Sequence, residues 1–118
     1  MAIKQYRKTY NDGFITILEP KTIRNANKKV IGKETVEVMK LRFSEMSFRE
    51  TDIQLAESLG EKLDMKIETL YPPTFKQHDI SKLTVVLRGE SYSIIKTDRF
   101  RNSLYLYLQK VGAFDGTD

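Results

Sequence analysis

The sequence predicts a mainly β protein: a small antiparallel β-barrel or sandwich of about six strands, with one short helix inserted between the second and third strands. Three observations predict it. The second half alternates apolar and polar residues in short runs, as at Leu83-Thr84-Val85-Val86-Leu87 and Leu104-Tyr105-Leu106-Tyr107-Leu108. A period of two marks strands with one face on a core. The gaps hold turn residues: Pro72-Pro73, Gly89-Glu90 and Arg99 to Asn102. The middle instead reads Ser47-Phe48-Arg49-Glu50 and then Gly60, a capping box and a left-handed stop around about three helical turns.

Residues 1–13 form a basic arm, with the turn signal Asn11-Asp12-Gly13 at its end. Alone, such an arm is disordered or loosely docked. The first strand is Phe14 to Glu19, rich in β-formers and stopped by Pro20. Lys21 to Lys33 is polar and basic. It reads as a long exposed loop, or as a mobile hairpin with its tip near Asn25 to Asn27, and connections of that length are usually functional or disordered. The second strand is Glu34 to Ser44. Val36 and Val38 share one face and Met39, Leu41 and Phe43 the other, so the apolar phase flips at Val38-Met39. A bulge there restores one buried face, and so does a strand whose two halves face different cores.

In the helix, Ser47 caps the first turn and Glu50 reaches back. Phe48, Leu55 and Leu59 fall within ~40° of one another at ~100° per residue, an apolar stripe that Asp52 interrupts. A helix this short needs packing to persist. Four strands follow: Lys62–Tyr71 with Leu63, Met65, Ile67 and Thr69 on one face; Lys82–Arg88; Ser91–Asp98 with Tyr92, Ile94 and Lys96; and Ser103–Val111, with Leu104, Leu106 and Leu108 opposite Tyr105 and Tyr107. The β domain thus spans 14–111, with an acidic insert at 45–61, and 112–118 is a polar tail carrying Phe114.

Composition narrows the function classes. With 118 residues the chain builds one domain with one core. Cysteine is absent and histidine occurs once, as His78, which excludes disulfides, thiolate chemistry and zinc sites built on several His. No apolar run nears the ~20 residues of a membrane span, and Met1-Ala2-Ile3-Lys4 has no signal core behind it. Glu50, Glu57 and Glu61 lie roughly on one helix side, without the glycine-bounded spacing of a calcium loop. Neither a phosphate-cradling loop nor a nucleophile elbow is present, and His78 beside Asp79 reads as a solvated loop residue. The expectation is a non-enzyme, with no cofactor, no metal and no small-molecule substrate.

Charge is polarised along the chain. Residues 1–33 carry eight Lys or Arg against Asp12 and Glu19, while residues 44–64 carry six acids against Arg49 and Lys62. A basic segment often meets an acidic partner, nucleic acid or protein, and an acidic stretch in the same chain fits subunits that meet basic to acidic, or a surface that repels phosphate. The plain alternative is two solvated surfaces. Lys96, Arg99, Phe100, Arg101 and Tyr105 also place cations and aromatics around one hairpin, the combination with which OB-like barrels grip single strands. Equally, Tyr105 and Tyr107 suit a subunit interface.

The order of parts resembles the head–tail joining (head-completion) proteins of long-tailed phages of low-GC Gram-positive hosts. Ser47-Phe48-Arg49-Glu50 with Ala56, the strand end Leu70-Tyr71-Pro72-Pro73, and Val85-Val86-Leu87-Arg88-Gly89-Glu90-Ser91-Tyr92-Ser93-Ile94 carry the resemblance. It covers roughly Gly13 to Val111. It implies a virion structural protein at the head–tail interface, made in the host cytoplasm, that forms a homo-oligomeric ring beneath the portal or adaptor ring. Such a ring extends the DNA channel without sequence specificity, closes the filled head and offers the tail-completion protein its docking surface. The segment 45–61, with Ser47, Arg49, Glu50, Asp52, Gln54, Glu57 and Glu61, then matches the channel gate. Lys21, Arg24, Lys28, Lys29 and Lys33 would face the portal side. Tyr105, Tyr107 and Phe114 would make subunit or tail-side contacts. A tail-completion protein of the same connector and an OB-like single-strand binder are the alternatives.

Overall fold

A computed structural model describes residues 9–113. Its strands are β1 Phe14–Arg24, β2 Val30–Met46, β3 Met65–Leu70, β4 Thr84–Leu87, β5 Glu90–Phe100 and β6 Ser103–Ala113, with one α-helix, α1 Glu50–Ser58, between β2 and β3. They form a single antiparallel sheet in the order β1-β2-β3-β6-β5-β4. The sheet closes on itself where Thr16, Ile17 and Leu18 of β1 pair with Val86, Val85 and Thr84 of β4. Closure removes most of the free edges that small sheets must otherwise protect. Phe114, expected at a partner contact, lies outside the described residues, as does most of the arm.

The inward face is the one that the alternation marks. Ile15, Ile17, Val85, Leu87, Leu104, Leu106 and Leu108 are buried in one core with Phe43 and Ile67. Phe75, in a short 3-10 turn between β3 and β4, is buried with them, and Tyr71 meets it edge-on at 6.2 Å. The phase flip in β2 is a bulge: Ile17 pairs with Met39 and Leu18 with Glu37, leaving Val38 unmatched. Met39 is buried and Val38 packs against the same core, so the extra residue lets consecutive apolar side chains reach one interior.

Elsewhere the structure corrects the expectations. β1 does not stop at Pro20 but continues to Arg24, with Pro20 opposite Thr35. Pro20 has no N–H to give, and β1 has left β4 by then, since its last partner there is Thr84 at Leu18. A proline is tolerated where one side of a strand is unpaired. Of the two forms expected for 21–33, the hairpin is the one adopted, with its tip between Arg24 and Val30. A bulge at Ile95 puts Ile94 opposite Leu108 and Lys96 opposite Tyr107. Lys96 is thereby moved off the inward face it was expected to share with Tyr92 and Ile94. Arg99 and Phe100 belong to β5 rather than to a turn, which consists of Arg101 (φ +56°) and Asn102 alone. Gly112 lies in β6, not in a tail. Residues 12–13 are tied to β2, as Asp12 N–H donates to the Phe43 carbonyl and Phe43 N–H to that of Gly13.

The helix starts one turn signal later than the sequence suggests. Arg49, not Ser47, is the N-cap, and Asp52, not Glu50, reaches back to accept from the Arg49 N–H at 3.0 Å. Its end is the expected one. Gly60 adopts φ +75°, and the Gly60 and Glu61 N–H groups donate to the carbonyls of Glu57 and Ala56, a Schellman closure. Replacing Gly60 by Ala should cost about 1–2 kcal/mol through left-handed strain. Hydrogen exchange should show faster amides at the end of α1 and unchanged ones in β6.

Candidate functional site: a basic ribbon and an acidic helical cap

Antiparallel pairing throughout sorts the connections between two ends of the closed sheet. The β1–β2 tip, the β3–β4 linker and the β5–β6 tip emerge at one end; α1, the β4–β5 tip and the end of β6 emerge at the other. The charge polarity of the sequence thereby becomes spatial.

At the first end, β1 beyond Leu18 and β2 before Glu37 pair with each other, forming a two-stranded ribbon. All five expected portal-side cations sit on it. Lys21 is opposite Glu34, Lys33 opposite Thr22 and Arg24 opposite Val30, while Lys28 and Lys29 lie in the tip. Each is exposed, and no acid occurs between Pro20 and Lys33. The tip is ordered by Asn25, whose side-chain oxygen accepts from the N–H groups of Asn27 and Lys29 at 2.9 and 3.0 Å. Arg24 donates to the Lys28 carbonyl at 3.1 Å, and Lys28 takes φ +61°. At the ribbon's base, His78 Nδ1 lies 2.6 Å from Glu19 Oε2, with both side chains mostly buried. His78 is thus a tether between the β3–β4 linker and β1, not a solvated loop residue. Sequence reasoning missed this contact, because Glu19 and His78 are far apart in the chain.

At the second end, α1 lies on the outer face of β3, β6 and β5. The stripe expected from the sequence is not the buried one. Leu55 and Leu59 are 40% and 55% exposed, whereas Ala56 is buried. Ala56 packs with Leu63 and Tyr107, joined by Phe48, Ile53, Ile95 and Tyr105. Asp52, which seemed to interrupt the stripe, marks the true inward face. Ser47, Arg49, Glu50, Gln54, Glu57 and Glu61 are exposed, leaving an acidic outer surface.

Beneath the helix, β3, β6 and β5 present a row of side chains. Lys66 Nζ lies 4.9 Å from the Tyr107 ring centre and 5.6 Å from that of Tyr105, and Lys96 Nζ lies 4.5 Å from Tyr107. The Tyr107 hydroxyl donates to Asp98 at 3.0 Å, and Asp98 pairs with Lys96 at 3.3 Å. Tyr107, expected at a subunit or tail-side contact, is 6% exposed and packs with Ala56 of α1. Tyr105 is half-buried beside it. The period-two pattern held the signal for Lys66, which faces outward opposite Tyr107, but only the register reveals it. Burial, and then the bond to Asp98, push the Tyr107 phenol far above its ordinary range. The folded state thus holds that proton more tightly, so stability should fall as pH rises beyond ~10. Denaturation midpoints across alkaline pH should show that slope, and Tyr107→Phe should reduce it.

The hairpin singled out for nucleic acid is divided. Arg99 stacks on Tyr71 at 3.9 Å, and Arg101 lies over Phe100 at 5.3 Å. Lys96 and Tyr105 belong instead to the row under α1. No protein-family model matches this chain, and no curated protein matches it.

Proposed function

We propose that this protein is a structural subunit of a phage head–tail connector, acting as a ring beneath the portal or adaptor that closes the DNA-filled head and receives the tail. The observation that carries the reading is the polarity of the small closed sheet, with a basic ribbon at one end and an acidic helix at the other. The ribbon's exposed cations suit an acidic surface on the portal-side ring. The segment 45–61 suits a channel gate for two reasons. Its outer surface is acidic, and duplex DNA carries about one charge per 1.7 Å, so a cationic lining would retard DNA that must leave quickly. Its helix also buries only one residue, Ala56, and weakly docked elements switch between arrangements at a cost of a few kcal/mol. A tail-completion role in the same connector would use the same ribbon and differ in the ring it meets. Co-sedimentation with DNA-filled, tailless capsids tests the reading. The chain should bind capsids that carry a portal complex and ignore those without one, and equal binding to both would refute it.

A second reading, as a single-strand binder, rests on the β5–β6 tip, where Phe100 is 62% exposed next to Arg99 and Arg101. It requires affinity for single strands that falls steeply with salt. The connector reading requires little affinity at any salt.

A further inference from the structure

We propose that Lys66 is the clasp that holds α1 against the closed sheet, so that α1 leaves as one unit when that contact is broken while the sheet stays folded. This rests on reading segment 45–61 as a movable closing element and names the residue that governs its release.

Three observations converge on Lys66. Its ammonium lies 4.0 Å from Asp52 Oδ2, with the two side chains only 18% and 20% exposed. It also lies over both tyrosine rings of β6, at 4.9 Å from Tyr107 and 5.6 Å from Tyr105. Asp52 Oδ2, finally, is the same oxygen that accepts the Arg49 N–H at the start of α1. A single carboxylate oxygen therefore both closes the first turn of the helix and ties it to β3. Fraying of that turn releases the clasp, and loss of the clasp loosens the turn, which is the coupling a two-position element needs.

Little else holds α1. Its apolar contact is made by Ala56 and Ile53 with the flanking Phe48, packed with Tyr107, Tyr105, Leu63 and Ile95, while Leu55 and Leu59 are 40% and 55% exposed. Tyr107 does not depend on the helix for its position, since Asp98 holds its hydroxyl and Lys96 lies against its ring. The shelf is thus built into the sheet and persists when α1 departs. A cleft of about 380 Å³ lined by Met46, Ser47, Arg49, Thr51, Asp52 and Lys66 opens beside the pair, giving solvent ions a route to it.

Hydrogen exchange on the full chain in solution tests the clasp without any capsid. Lys66→Met keeps the aliphatic stem and removes the charge. It should raise the exchange of α1 amides about tenfold, the scale of one partly buried ion pair with its cation–π contacts, and leave β6 amides unchanged. Lys66→Arg keeps both contacts and should stay close to the parent chain. Added salt should speed α1 exchange in the parent chain and hardly at all in Lys66→Met. Unchanged α1 amides in Lys66→Met would overturn the proposal. So would β6 amides that accelerate in step, because Lys66 would then support the whole fold. If α1 loosens as expected and Lys66→Met still seals capsids as the parent does, the clasp stands and the gate assignment falls.

Discussion

Replacing both Lys28 and Lys29 by glutamate is expected to abolish docking on the portal-bearing capsid and leave the fold intact. Both residues are exposed in the tip of the ribbon, remote from the core of the closed sheet. Surface changes of this kind usually move stability by no more than about 0.5 kcal/mol. Lys28 is left-handed, but glutamate meets the same backbone cost there as lysine. Electrostatically the change is large, since two of the ribbon's five cations become anions. Where they meet an acidic surface, attraction turns into like-charge opposition costing several kcal/mol, which predicts affinity lower by about a hundredfold or more. Sedimentation with capsids reads the loss, and an unchanged denaturation curve shows that the fold survived. Docking at the parent level would remove the ribbon from the interface.

The largest expected effect on stability comes from Phe43→Ala, at about 3–5 kcal/mol. Phe43 is fully buried and lies where β2 passes from β1 to β3, pairing with Thr69. Its backbone holds residues 12 and 13, and a Cβ at Gly13 would lie 3.5 Å from its ring. Truncating the ring opens a cavity in the core, removes the surface that Arg88 lies over, and loosens the seat of the N-terminal segment. Small domains have only ~5–15 kcal/mol in total, so urea denaturation should show a transition at much lower concentration. A loss below about 1 kcal/mol would mean that Phe43 is not the keystone of the sheet's closure.

The strands of the second half were legible because each has one face in a core, and alternation reports that directly. Leu83, Val85 and Leu87, and Leu104, Leu106 and Leu108, are buried as the pattern requires. The bulge at Val38 was legible too, as a flip in apolar phase, and Gly60 as a left-handed stop. What failed were inferences from single residues whose meaning depends on tertiary pairing. Pro20 ends a strand only where strands pair on both of its sides, and beyond Leu18 β1 is paired with β2 alone. Asp52 looked like a defect in an apolar stripe until Lys66 on a neighbouring strand gave it a partner. Leu55 and Leu59 were assigned inward by spacing, yet the sheet offers a tyrosine shelf that takes the smaller Ala56. The bulge at Ile95 shows in the sequence as the consecutive apolar pair Ile94-Ile95, which was not read as a break, and it moves Lys96 to the outer face. The five cations of the ribbon were found as a cluster from composition. The hairpin that carries them was one of two readings of that stretch, and the continuation of β1 past Pro20 decides between them.

The most direct test of the central claim is genome retention. DNA-filled, tailless capsids are incubated with the purified chain, and the DNA released into solution is measured over time by nuclease sensitivity. The connector reading predicts that the parent chain keeps the DNA inside, and that the Lys28→Glu, Lys29→Glu variant, which cannot dock, does not. Capsids that leak equally with and without the parent chain would contradict it.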